Sequence, residues 1–418
     1  MRVSRRVAVV GAGLAGVATA FELAALGLQV QVFERGGSVA EQASFAGSAL
    51  LSPFVPDLNE DAPAPLSWRW RRWRAGHRGG DAHAALVSLS LLSLARTAEL
   101  RHSLGLDDEA AEGLLIALTD ARRLAAAEAK LEAWRALGLA VELLDAEQAR
   151  RREPGLNADV PLAAALAFEG AGAGNARLFA QQLRHQAQRL GAGFRFHTTV
   201  RAIGTAGSGL TLRHEYTPPP EAPTRTHGGE REAGDTLPQP PGPQEEHFDA
   251  VVLCNGLDAE ALAGRRLRLA AQHEASVTAP LRVLEAHPHL GPRAGWIDTS
   301  RGLAVARIGQ RVRVTGGLAV TGARDRHAAD FEALHRGLQH WFPGSVLHQQ
   351  VQQGQSRRSL ATDGLPLIGA GARSGLWLNL APCGGWGLAC GAAQVLAQQI
   401  ARQTPAIDIN LLGPQRLA

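Results

Sequence analysis

The chain has 418 residues, which is two to three domains' worth of mass. Hydrophobic residues make up 45% and charged residues 20%, which excludes a disordered chain and leaves ample material for a core. Lys plus Arg is 43 against Asp plus Glu 39; the resulting +4 is small and interspersed, and gives no argument for nucleic acid.

In chain order, Val7-Ala8-Val9-Val10 reads as a buried parallel strand. Gly11-Ala12-Gly13 breaks it, Leu14 to Leu26 reads as a helix ending at Gly27, and Gln29 to Phe33 as a second strand. Together they form a β-α-β unit of about 30 residues. Residues 84 to 105 and 120 to 138 read as helices, the second with Leu124, Ala127, Leu131 and Trp134 on one face. Strands are expected at 192 to 203 and 248 to 253. Between them, Thr217 to Pro243 holds eight prolines and four glycines. Such a stretch cannot bury enough apolar surface to offset its ordering entropy, so it is expected to be a disordered insertion. Gly302 to Val320 alternates as antiparallel strands do, and 326 to 342 reads as a helix. A strand at 376 to 380, a glycine-rich turn at 384 to 387 and a helix from Leu388 to about Arg402 close the chain.

Other classes are disfavoured. Three cysteines without short spacing argue against a disulfide framework or a zinc ribbon. No third ligand accompanies His287-Pro288-His289, so no metal is expected. HExxH and GxSxG are absent. Lys130 is the only lysine, so a Schiff-base mechanism would have to use it. No uninterrupted apolar run of about 18 residues exists, and the N-terminus lacks signal-peptide architecture, so a cytoplasmic location is expected. Trp68-Arg69-Trp70-Arg71-Arg72-Trp73-Arg74 fits either peripheral contact with the inner membrane or a domain edge.

The most informative motif is Gly11-x-Gly13-x-x-Gly16 between a strand and a helix. Gly11 permits the tight turn, Gly13 lets a pyrophosphate approach the backbone, and Gly16 lets helix and strand pack. The free N–H groups at the helix start, around Leu14 and Ala15, favour an anion. Glu34, 18 residues beyond Gly16 and followed by Arg35, ends the second strand where a carboxylate can hold an adenosine ribose. The motif points to a dinucleotide without saying which one.

Four segments resemble the D-amino acid oxidase-like superfamily of FAD-dependent oxidoreductases, and within it the bacterial D-amino-acid dehydrogenase small subunit. They are VAVVGAGLAGVATAFELAALGLQVQVFER, then EQASFAGSALLSP at 41 to 53, then AGAGNARLFAQQLRHQAQRLGAGFRFHTTV leading to DAVVLCNG, and finally SRRSLATDGLPLIG with LNLAPCGGWGLACGAAQVLAQQI. The resemblance implies FAD as cofactor and an α/β fold. A Rossmann-like FAD domain would be built from 1-83, 145-268 and 350-418, with an α+β substrate domain of antiparallel sheet from 84-144 and 269-349. It implies that Ser44, Ala46, Gly47 and Ser48 approach the pyrophosphate and flavin. It also implies that Val200 contacts adenine through its backbone, and that Asn255-Gly256 and Asp363 lie beside the cofactor. Gly384-Gly385-Trp386-Gly387 would start a helix pointing at the flavin pyrimidine end, where its dipole would stabilise the charge of the reduced ring. Arg358 would clamp the substrate carboxylate in two parallel hydrogen bonds, with Arg357 as the competing candidate.

The implied reaction is oxidation of the C–N bond of an amino acid or related amine. A hydride would pass from the α-carbon to flavin N5, the imine would hydrolyse, and oxygen, a quinone or a partner flavoprotein would accept the electrons. The pattern departs from the family at several points. The K-G-Y-S segment is His273-Glu274-Ala275-Ser276, so alanine replaces tyrosine. The G-H-G before the last helix is Ala381-Pro382-Cys383-Gly384. Ser356 and Ser359 replace the Gly and Pro around the arginine, and Thr362 replaces a proline. These departures leave three alternatives open: a glycine or sarcosine oxidase-like enzyme, the oxidative step of tRNA wobble-uridine modification, and a non-catalytic FAD-binding accessory subunit.

Overall fold

The computed structural model describes residues 5–56, 58, 64–75, 80–207, 209–217, 242–284, 290–322, 328–380 and 385–417, with backbone alone at 71–75 and 80. The first strand, Arg6–Val10, lies between Gln29–Phe33 and Ala250–Leu253 in a six-stranded sheet. Gly193–Arg195 extends one side and Leu376–Leu380 the other, all parallel, and Leu367–Ala370 adds an antiparallel edge. Both faces of this sheet are covered, which is why its central strand is apolar at every buried position. Val7 and Val9 pack against a helical layer made by Leu14–Ala25, Gly80–Leu104, Ala176–Arg189 and Trp386–Ile400. Ala8 and Val10 pack against an antiparallel meander, Thr198–Ala206, Gly209–Tyr216 and Pro243–Phe248, through Ile203, Leu210, Leu212 and Phe248.

The second sheet has eight strands in the order Gln352–Leu360, Ala270–Pro280, Arg311–Gly322, Leu303–Ile308, Gly295–Asp298, Leu114–Leu118, Ala164–Phe168 and Val141–Asp145. Every pairing is antiparallel except that of Gly295–Asp298 with Leu114–Leu118. One face of Ala270–Pro280, carrying Ala275, Val277 and Ala279, packs with Val312 and Val314 against Leu334, Leu338 and Trp341 of the helix Phe331–Trp341. The same alternation puts Glu274, Ser276 and Thr278 on the opposite face, toward the first sheet. All three are buried.

Several expected elements differ in extent. The strand expected at 192–203 is two strands, broken where His197 turns with φ 52°. The strand expected at 248–253 is also two, parted at Asp249, whose carboxylate accepts from the Arg6 N–H at 2.7 Å. The helix expected from 326 begins at Phe331, because the Asp330 side chain caps it by accepting from Ala333 N at 2.8 Å. The last helix begins at Trp386, not Leu388. The expected insertion lies outside the described residues over 218–241, and its far edge, Pro243, is already a strand residue paired with Glu215. His287-Pro288-His289 also lies outside the described residues.

The sheets divide the chain differently from the expected boundaries. Residues 84 to 104, expected in the substrate unit, belong to the long helix packed on the opening and closing helices. Ala164–Phe168 and Gln352–Leu360, expected in the cofactor unit, are strands of the eight-stranded sheet. In the tryptophan-arginine helix Leu66–Ala75, Trp68 turns inward onto Ala270, Val320 and Leu360, whereas Trp70 is exposed.

Candidate active site

The glycine turn follows from two steric demands and one vacancy. Gly11 has φ +98°, and a Cβ there would lie 3.0 Å from the Asn255 backbone. A Cβ on Gly16 would lie 1.9 Å from the Gly11 carbonyl oxygen. Gly13 is different: among the described residues its Cβ would meet only Ser44 Oγ, at 3.5 Å. Folding therefore requires Gly11 and Gly16, while Gly13 keeps a surface open for something outside the chain. At the helix start, Leu14 N donates to Ser44 Oγ at 3.1 Å.

A trench runs from this turn in both directions. The end nearest Glu34 is lined by Gly11, Gly13, Glu34, Arg35, Gln42, Thr198, Thr199, Val200, Asn255 and Asp258. The Glu34 carboxylate accepts from Ala12 N at 2.6 Å and Gly36 N at 2.7 Å, which fixes it at the strand end. Arg35 pairs with Asp258 at 2.7 Å and donates to Gln42 at 2.9 Å. The other end is lined by Gly47, Ser48, Ala49, Leu50, Ala176, Arg358, Ser359, Asn379, Leu380, Gly385 and Trp386. Leu14, Ala15, Ala43, Ser44, Cys254 and Gly256 line both ends, so the trench is continuous.

The far end is built by the second sheet and the closing helix. Arg358 projects from Gln352–Leu360 opposite Gln272, and its Nη2 donates to Glu274 Oε2 at 3.0 Å. Both side chains are largely buried. Arg357, one residue earlier on the strand, is exposed and does not line the trench. Trp386 is wedged against Phe179 and lies under Arg101, whose guanidinium makes a two-pronged bond to the buried Asp108 at 2.8 and 2.7 Å. Burial pushes the Asp108 carboxyl up, and the Arg101 charge opposes that shift. Arg313, also buried, reaches from the second sheet to the Phe45 and Gly47 carbonyls at 2.6 and 3.2 Å and to Thr278 Oγ1 at 2.9 Å. It fixes the loop that carries Ser44, Gly47 and Ser48.

Of the expected site residues, fifteen meet along this trench and four described ones do not line it. Gly16 is under the turn and Gly387 packs where a Cβ would strike the Ser52 carbonyl at 2.4 Å. Ala46 faces Gly354 of the second sheet. Asp363 is held by Arg416 at 2.6 and 3.1 Å in a buried pair that docks the C-terminus. Gly384, with Ala381, Pro382 and Cys383, lies outside the described residues. The pattern of the sequence does not single out Thr198, Thr199, Asp258 and Asn379, nor Cys254, which follows the strand and lines the trench. Burial pushes its thiol up to about 12, so it is not a thiolate. Ala275, at the family's tyrosine position, packs in the core behind the sheet; its neighbour Glu274 faces the site.

The trench fits a dinucleotide. Besides the open Gly13 surface, several lining residues carry buried polar atoms without a partner among the described residues: Asn255 Oδ1, Asn379 Oδ1, Trp386 Nε1 and Arg358 Nε. Buried polar atoms are normally paired, so these four, each on a lining residue, suit a polar group in the trench. Among the described residues no cluster of side chains suits a metal ion, and no helix is long and apolar enough to cross a membrane.

A parallel sheet that opens a trench at its glycine turn, facing a second sheet that ends it with an arginine, is the two-part architecture of a nucleotide-dependent oxidoreductase. The chain belongs to the DAO family of FAD dependent oxidoreductases, whose model matches residues 6–399. It is 29% identical to a D-amino acid dehydrogenase of Cereibacter sphaeroides, covering 99% of this chain and 95% of that protein. Among solved structures it resembles glycine oxidase from Geobacillus kaustophilus (TM-score 0.73, 22% identity, 98% of each chain). It also resembles L-amino acid deaminase from Proteus myxofaciens in complex with anthranilate (TM-score 0.74, 15% identity, 100% of this chain and 94% of that one). At these identities the structural likeness is one of fold, and it bears out the α/β architecture expected from the sequence.

Proposed function

We propose that the protein oxidises the C–N bond of an amino acid, in the manner of a D-amino-acid dehydrogenase, with FAD held along the trench. One observation carries this: the trench that starts at the glycine turn and Glu34 ends at a partly buried arginine suited to a carboxylate. The name of the Cereibacter relative supports the D-configuration and an electron acceptor other than oxygen. Glu34, Arg35 and Val200 would serve the adenosine end. Gly13, Leu14, Ala15 and Ser44 would serve the diphosphate, and Gly47, Ser48, Gly385 and Trp386 the ring system. Bound FAD supplies the two-electron acceptor that the oxidation requires.

The chain's own residues do the rest. Arg358 orients the substrate by its carboxylate, which fixes the α-carbon relative to the ring end of the trench. The Arg101–Asp108 pair holds Trp386 as a rigid wall. The apolar surroundings of Leu50, Leu380 and Ala389 keep water away from the reacting carbon. No side chain needs to abstract a proton from carbon. We assign the first sheet, its helices and the meander to the cofactor, and the eight-stranded sheet to the substrate.

The test is anaerobic titration of the purified protein with D- and L-alanine. A yellow protein bleached by the D-isomer, with dye reduced and little peroxide formed in air, supports the proposal. Abundant peroxide would make it an oxidase. Protein that stays colourless after added FAD removes the proposal.

A further inference from the structure

Three arginines of the second sheet reach toward the first, and one of them differs from the other two. Arg311 is paired with Glu109 at 2.5 Å, and Arg358 with Glu274 at 3.0 Å. Arg313 is 8% exposed, and among the described residues no carboxylate pairs with it. Its hydrogen-bond partners are all neutral: the Thr278 hydroxyl at 2.9 Å and the Phe45 and Gly47 carbonyls at 2.6 and 3.2 Å. Its guanidinium also lies 5.5 Å from the centre of the Phe45 ring. Burial pushes that guanidinium down to about 10, so it keeps its charge at neutral pH. A buried cation without an anion is costly to hold. What this one secures is a single short loop, through the strong bonds that charged N–H groups make to carbonyls.

Gly47 and Ser48 line the trench and Arg313 does not, so it grips the loop from behind. The peptide bond between them is trans, so the Ser48 N–H points opposite to the Gly47 carbonyl that Arg313 holds. Among the described residues nothing accepts from that N–H. We propose that Arg313 is a positioning residue for the oxidation: by fixing the Gly47 carbonyl it aims the Ser48 N–H into the ring end of the trench, where the donor favours reduced over oxidised FAD and raises its reduction potential. The proposal rests on the function given above, which puts the ring system at that end. Reduction adds electron density to the ring, and a donor already held in place stabilises that charge without reorganisation. The sheet that orients the amino acid through Arg358 thus also sets the flavin loop through Arg313.

Arg313→Met keeps an unbranched side chain and removes the N–H groups that hold the loop. The readout is the midpoint potential of the bound flavin, measured against a reference dye. The equilibrium constant for reduction should fall at least tenfold, about 30 mV for a two-electron couple; a smaller fall overturns the proposal. Propionate, titrated against the flavin absorbance spectrum, should bind variant and wild type within twofold, because Arg358 is untouched. A tenfold loss of propionate binding would show a general collapse of the site and overturns the proposal too. The wild-type holoprotein provides a measurement that needs no variant. Its Ser48 amide should exchange hydrogen at least tenfold more slowly than in an unstructured peptide of the same sequence; exchange at the unstructured rate overturns the proposal. Protein that takes up no FAD sinks the functional proposal and this one together. Flavin that D-alanine reduces, at a potential the variant leaves unchanged, sinks this one alone.

Discussion

At the scale of single residues, the three glycines of the opening turn do different work, and substitution separates them. Gly16→Ala puts a Cβ 1.9 Å from the Gly11 carbonyl, so little soluble protein is expected. Gly13→Ala has room for its Cβ and should fold with a thermal midpoint close to wild type, yet lose most of its flavin. Circular dichroism together with the ratio of flavin to protein absorbance distinguishes the two. Arg358→Met should leave flavin content unchanged and lower kcat/KM for the amino acid on the order of a hundredfold. Removing one member of a buried ion pair strands the other, and the substrate loses its anchor as well. Wild-type kinetics in that variant would remove Arg358 from the site.

At the scale of elements, the meander shows what the segment 218–241 is not required for. Gly209–Tyr216 and Pro243–Phe248 pair directly as antiparallel neighbours, with Glu215 opposite Pro243, and antiparallel neighbours need only a short turn between them. Replacing 218–241 by such a turn should preserve flavin content and shift the thermal midpoint by no more than a few degrees, since loop length costs little. Loss of soluble protein would show that the segment carries structure. The helix Leu66–Ala75 presents the opposite lesson. Trp68 and Trp70 look alike in sequence, yet Trp68 is 5% exposed and packs on the second sheet, whereas Trp70 is 55% exposed.

At the scale of the whole molecule, acid groups that tie distant segments together set the pH dependence of stability. Both Glu153 oxygens accept from Arg293 N at 2.9 Å, and burial pushes this carboxyl up from about 4.5 to about 7. A raised folded-state pKa means the native state holds the proton more tightly than the unfolded chain. The resulting stability, on the order of 3 kcal/mol, is complete below pH 4.5 and is lost as the pH rises through about 7. Denaturant melts at pH 5 and pH 8 should therefore show a fall in the wild type that Glu153→Gln largely removes. An equal fall in both proteins would place the titration elsewhere.

The sequence alone determined what depends on neighbours along the chain. The strand-turn-helix with its glycines, the acid closing the second strand and the amphipathic helix faces are local, because each is fixed by backbone sterics or by side-chain period. Arg358 was legible only through the resemblance to the family, and it does line the trench. The tertiary structure alone decided what depends on contacts between distant segments. Glu274 is 84 residues from Arg358, and only the antiparallel pairing of two strands puts their side chains together. The strand Ala270–Pro280 was itself hard to see, since its polar residues face the interior, where alternation ordinarily places apolar ones. Asp363 matched the family's sequence yet was claimed by Arg416 from the far end of the chain, because a buried carboxylate requires a cation and the fold delivered one.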